Sequence, residues 1–197
     1  ANARRPHAVA AGNVELSQRL TDVIMGALHE ALQSHGGHDS TALIAQGQGT
    51  MNNLTIGAPG WTFYETLGGG QGASARGPGP DAVHVGMSNT RNTPVESLEW
   101  AYPMRVCTYA LRDASGGAGR HRGGSYQPLV PTTLTLLTER RGAAPQGALG
   151  GSAGATGVNS CDDALLAAKG RWSLPAGAVV RLETPGGGGY GPPTETP

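Results

Sequence analysis

Glycine clusters partition this chain. Gly-Gly pairs recur at 36, 68, 116, 123, 150 and 186, and Gly with Pro makes up about a quarter of the 197 residues. A composition that rich in Gly and Pro approaches the low-complexity range. The segments between the clusters, however, carry clear apolar patterning, so the clusters read as loops of a folded protein. Their spacing is irregular, which argues against a solenoid.

Residues 13–33 form the best helical pattern. Val14, Leu20, Val23, Ile24, Ala27, Leu28, Ala31 and Leu32 recur at spacings of three and four. Asn13 is a suitable N-cap, and Glu15 suits the first turn. Arg19, Asp22, His29 and Glu30 fall mostly between the apolar positions. The polar run 34–40 stops the helix. After residue 40 the period changes. Residues 61–67, 82–87, 104–111, 129–138 and 179–184 are short and rich in β-branched or aromatic residues, as strands are. Val106, Thr108 and Ala110 alternate with Arg105, Cys107 and Tyr109. Gly- or Pro-rich loops separate these segments at 68–80, 113–124, 142–157 and 185–193. A short helix is predicted at 162–169, ending at Gly170. The predicted class is α+β: one long N-terminal helix followed by a β-rich body with Gly-rich loops. Residues 1–191 form a single region, with 192–197 as a frayed tail.

Charge excludes some partners. Fourteen basic residues balance fourteen acidic ones, so no global field draws nucleic acid or a membrane surface. No apolar run approaches the ~20 residues that span a bilayer. Cys107 and Cys161 match no metal spacing and read as two free thiols of a cytoplasmic protein, with one disulfide as the alternative. The chain does not begin with Met, which reads as processing, trimming or a fragment.

The densest unusual sequence lies in residues 50–96. Thr50-Met51-Asn52-Asn53-Leu54-Thr55 precedes Phe63-Tyr64-Glu65-Thr66-Leu67-Gly68-Gly69-Gly70, and Ser88-Asn89-Thr90-Arg91-Asn92-Thr93-Pro94-Val95-Glu96 follows. Amides, hydroxyls, an Arg and two carboxylates surround a glycine triplet, a pattern suited to holding something polar.

These motifs, in this order, resemble the hydantoinase B / 5-oxoprolinase family. The resemblance runs from about Gly12 to Gly191. It includes Gly12-Asn13-Val14-Glu15-Leu16-Ser17-Gln18-Arg19, Gln48-Gly49-Thr50-Met51-Asn52-Asn53, Tyr64-Glu65-Thr66, Asn89-Thr90-Arg91-Asn92-Thr93-Pro94 and Ser115-Gly116-Gly117-Ala118-Gly119-Arg120. It closes with Thr138-Glu139-Arg140-Arg141 and Thr184-Pro185-Gly186-Gly187-Gly188-Gly189-Tyr190-Gly191. The resemblance implies ATP-dependent opening of a cyclic amide: a hydantoin, 5-oxoproline or another lactam. A hydantoinase A-type, ATPase-like subunit would phosphorylate the ring carbonyl, and the B part would handle the activated species and add water. ATP and Mg would belong to that partner. A divalent metal would belong to a His- and Asp-rich N-terminal portion that nothing in this chain matches. The family's B subunits run to roughly two or three times this length, so the chain resembles their C-terminal part and implies a hetero-oligomer. Related carboxylases of the acetone-carboxylase type follow the same logic. A purely structural or assembly module is the competing reading, and it predicts an exposed apolar face along helix 13–33.

Opening an amide needs a polarised carbonyl, a positioned water and a proton for the leaving nitrogen. Glu65, before the glycine triplet, is a candidate base, and His84 a candidate acid, base or metal ligand. Gly68, Gly69 and Gly70 would let backbone amides approach an oxyanion or phosphate. Asn89, Thr90, Arg91 and Thr93 form a donor-rich run in which Arg91 could clamp a phosphate or carboxylate. Asn52, Asn53 and Thr66 complete the candidate binding set. The blander readings are a strand-end Glu, a structural His, a flexible glycine turn, and a loop braced by Arg91 with Glu96 or Glu99. His35 and His38 lack the further ligands a metal site needs. Arg120-His121-Arg122-Gly123-Gly124 reads as a turn. The chain lacks the phosphate loop of common ATPases.

Overall fold

A computed structural model of the chain describes residues 14–34, 43–49, 52–86, 88–116 and 121–192. The sequence folds into two helices and two antiparallel sheets. In chain order these are α1 (Val14–Ser34), β1 (Asn52–Ala58), β2 (Trp61–Thr66), α2 (Val95–Ala101), β3 (Met104–Arg112) and β4 (His121–Pro128). There follow β5 (Thr132–Thr138), β6 (Val158–Cys161), β7 (Ala164–Leu165), β8 (Lys169–Leu174) and β9 (Val180–Glu183). One sheet has the order β2-β1-β5-β8 and the other β3-β4-β9-β6-β7.

Alternation builds the core. In β5, Thr132, Leu134, Leu136 and Thr138 point inward while the residues between them are more exposed. Leu54 and Ile56 of β1 sit opposite Leu136 and Leu134. They join Phe63, Leu98, Met104, Tyr126, Val180 and Leu182 in one apolar cluster drawn from both sheets and α2. Among the described residues, no helix is long and apolar enough to cross a membrane.

The predicted helix 13–33 matches α1 within a residue, although Asn13 lies outside the described residues. The predicted strands 61–67, 129–138 and 179–184 contain β2, β5 and β9, and 104–111 covers all of β3 but Arg112. Several expectations need correction. Segment 162–169 is not a helix. Asp162 and Asp163 have φ of 45° and 66° and turn a hairpin between Cys161 and Ala164. Two successive positive φ values are what tight mirror-image hairpin turns require, and Asp tolerates them. Val179 donates its backbone N–H to the Asp162 carboxylate at 2.7 Å and secures that turn.

Of the predicted strand 82–87, the described residues 82–86 form no strand either. Among them only Val83 bridges, to Gly69, and Ala82 has φ of 55°. Residues 121–124, assigned to a loop, belong to β4. The alternation read in β3 breaks at a bulge between Val106 and Thr108. Cys107 takes no partner in the register, so Val106 and Tyr109 both reach the core while Cys107 and Thr108 stay exposed. Both cysteines are free thiols.

Candidate functional site

The site grows from the end of the β1–β2 hairpin. In this register Asn53 faces Thr66, and Leu54 faces Glu65. Opposite residues share a face, so Glu65 points with Leu54 into the core, whereas Asn53 and Thr66 share the other side. Thr66 donates its hydroxyl to Asn53 Oδ1 at 2.7 Å. Asn52, on the inner side, is buried; its amide donates to Gln48 Oε1 at 2.5 Å and accepts from Arg141.

Glu65 is 6% exposed. Its Oε1 accepts the backbone N–H of Thr93 at 2.5 Å. Burial pushes its carboxyl pKa up, and the Thr93 bonds only partly offset that. The Tyr126 hydroxyl adds the smallest opposing influence from outside hydrogen-bonding geometry. Reciprocally, the Tyr126 pKa rises, chiefly through its own burial and then through the nearby Glu65 charge.

His84 is half-buried, and burial pushes its pKa down, with the Asn92 side chain acting in the opposite direction. Its Nε2 lies 3.1 Å from Thr90 Oγ1. Neither His84 Nδ1 nor Asn92 Nδ2 has a partner in hydrogen-bonding geometry, although both are buried. One loop, 88–94, therefore reaches both candidates: Thr90 touches His84, and Thr93 holds Glu65. The same loop presents Asn89, Thr90 and Arg91 at the surface. Arg91 has no ion pair among the described residues. Glu99 instead accepts the Val106 N–H at 2.8 Å.

The glycine triplet is packed. Gly69 and Val83 exchange backbone bonds at 3.1 and 2.9 Å, and the Gly70 N–H donates to Pro185 O. A Cβ on Gly69 would lie 2.4 Å from Gln48 Oε1, and one on Gly68 would lie 3.0 Å from Ala82 O. The N–H groups of Gly69 and Gly70 are thus committed to carbonyls rather than open to an anion. What the triplet does is hold the chain that leaves strand β2 against residues 82 and 83.

Sequence reasoning missed a second polar centre. Arg141 donates to Asn52 Oδ1, to the Glu139 carbonyl and twice to Asn159 Oδ1. Asn159 in turn donates to Thr138 Oγ1 at 2.9 Å. Burial, helped by Arg112, pulls the Arg141 pKa down to about 9. The signal was present as Arg140-Arg141, but two adjacent arginines do not show which partners each one takes: Arg140 turns to Asp22 and Arg141 to the two asparagines.

Among the described residues, no three His, Cys, Asp or Glu side chains gather in a group able to hold a metal ion. His35 and His38 lie outside the described residues.

Known proteins resemble this chain in sequence and in fold. The model of the family described as hydantoinase B/oxoprolinase matches residues 1–193. The chain is 40% identical over 203 residues to an uncharacterised protein of Methanocaldococcus jannaschii, covering 98% of this chain and 35% of that protein. It is 37% identical over 194 residues to 5-oxoprolinase 1 of Arabidopsis thaliana, covering 93% of this chain and 14% of the plant protein. The ATP-dependent caprolactamase from Pseudomonas jessenii shares the fold, with a TM-score of 0.57 at 20% identity over 79% of this chain and 31% of its own. The chain thus spans about a third or less of the length of each.

Proposed function

The chain belongs to the hydantoinase B/oxoprolinase family, and from that premise we propose that it forms part of the B-type subunit of an ATP-dependent cyclic-amide hydrolase. In this reading a hydantoinase A-type partner phosphorylates the ring carbonyl, and the B side takes over the activated ring. ATP and Mg stay with the partner. Among the described residues no cluster fits a metal, and no step is assigned to one here.

The observation that carries the reading is the loop shared by two titratable groups. His84 is the group placed to move a proton. Its depressed pKa keeps the imidazole neutral near pH 7, so it can accept a proton from an attacking water. Thr90 fixes one ring nitrogen. Arg91, exposed on the same loop, supplies a bidentate clamp for the phosphate or carboxylate of the activated ring, with Asn89 beside it. Glu65 is buried and committed to Thr93, so we assign it to positioning the loop rather than to contact with substrate. Asn52, Asn53 and Thr66, at the open end of the β1–β2 hairpin, and the glycine triplet that follows it remain the further candidates for binding the ring.

Reconstitution tests the proposal. The chain, co-expressed with the rest of a B-type polypeptide and combined with an A-type subunit, ATP and Mg, is offered hydantoin or 5-oxoproline. Ring-opened product and ADP are expected to appear together. Absence of product alongside a competent full-length control would sink the reading.

A further inference from the structure

Helix α1 is mounted with its polar side inward. At 3.6 residues per turn, Glu15, Gln18, Arg19 and Asp22 share one stripe, and every one of them is bonded to the body. Lys169 binds Glu15 at 2.6 Å, Gln18 donates to Val85 O at 2.8 Å, Arg19 meets Glu139 at 3.4 Å, and Arg140 binds Asp22 at 2.9 Å. The apolar stripe lies about two-fifths of a turn away. Leu16, Leu20, Val23, Ile24 and Leu28 are 41–67% exposed on it, and Ala27 and Ala31 fill the spaces between them without a charge. Beneath the helix, a 580 Å³ cleft opens towards Ile44, Gly72 and Leu149.

An amphipathic helix in a globular protein normally turns its apolar stripe to the core. A contiguous apolar patch left in water marks an interface. We infer that the outward stripe of α1 is the docking surface for the remainder of a hydantoinase B-type polypeptide. Length identifies that occupant. The archaeal relative matches 98% of this chain with only 35% of its own residues, and the caprolactamase with only 31%. Each carries about twice this chain's length in further polypeptide that must pack somewhere, and the uncharged stripe offers an apolar partner a continuous seat. The inference rests on family membership and not on the ring-opening chemistry.

The test co-expresses this chain with the portion of the Methanocaldococcus jannaschii relative that lies outside the match, and reads association by sedimentation and amide exchange across residues 14–34. A 1:1 complex with α1 amides protected is expected. The double variant V23D/L28D should weaken it ~100-fold. Its thermal unfolding should match the parent, because Val23 and Leu28 are 67% and 54% exposed. Three results would overturn the inference: no complex, a complex indifferent to V23D/L28D, or a homodimer of this chain that V23D/L28D dissolves, since a second copy would then own the stripe. Ring opening by the reconstituted enzyme enters none of these readouts, so the docking and the chemistry can fail separately.

Discussion

The backbone N–H of Thr93 donates to Glu65 Oε1 at 2.5 Å, tying a surface loop to a buried carboxyl of strand β2. Glu65→Gln keeps an acceptor for Thr93 and should cost less than about 1 kcal/mol, whereas Glu65→Ala leaves the amide unpaired and should cost about 1–3 kcal/mol in urea unfolding. Because folding raises the Glu65 pKa, its contribution is full below the unfolded value of 4.5 and declines as pH rises through the folded value. Glu65→Gln should flatten that decline. In the reconstituted enzyme, turnover of Glu65→Gln should stay within a few fold of the parent; a ~100-fold loss would make Glu65 the base instead.

His84 should titrate below 6.5, because burial disfavours its charged form. With a depressed folded pKa, its contribution to stability is present above 6.5 and lost as pH falls. The imidazole proton shifts measured across pH 4–8 by NMR check this directly. His84→Asn should lower turnover ~100-fold with little change in KM, while Arg91→Ala should mainly raise KM.

Arg141 bridges Asn52 and Asn159 across the two sheets. Arg141→Met removes a buried cation but strands both amide oxygens. A loss of about 3 kcal/mol is expected. Arg141→Lys should recover only part of it, since one ammonium cannot reproduce the fork. Chemical denaturation with an unchanged m-value would confirm a stability effect; a loss under 1 kcal/mol would contradict the network's importance.

Gly187 should not tolerate a methyl group. A Cβ there would sit 2.0 Å from the backbone oxygen of Gln71, and backbone cannot rotate aside. Gly187→Ala is expected to cost about 3 kcal/mol or more. Gly142, with nothing within 4 Å of an added Cβ, should accept Ala with a change of about 0.5 kcal/mol or less. Thermal melts of the two variants separate a packed glycine seam from a loose loop.

The seating of α1 should depend on pH. Burial, with the Glu15 carboxyl beside it, pushes the Glu139 pKa up to about 7, while Arg19 pulls the other way. A raised folded pKa means that Glu139 favours the folded state fully below 4.5 and loses that contribution as pH climbs towards 7. Amide exchange in residues 14–34 should accelerate over that window, and Glu139→Gln should remove the Glu139-dependent part of the change.

Much of this molecule was legible beforehand. α1 and strands β2, β3, β5 and β9 follow from periodicity, because each buries one face or stands beside residues that do. The hairpin at Asp162-Asp163 was not legible, since the same two acids serve a helix start or a positive-φ turn, and only the pairing of β6 with β9 selects the turn. The bulge at Cys107 was equally hidden, because a bulge is a property of two strands together. At the candidate site, the sequence pointed to Glu65, His84 and loop 88–94. It did not show that the Gly69 and Gly70 N–H groups bond carbonyls, because Gly reports freedom to approach closely and not what is approached.

By itself, the order of residues determined the family, the α+β class and the apolar stripe of α1, since these depend on local spacing and on which side chains follow one another. Only the tertiary structure decided that the stripe faces outward, that Arg141 lies inside and that Thr93 finds Glu65. Each of these is a meeting of segments far apart along the chain, and such meetings are set by sheet register and by polar bonds that no local window contains.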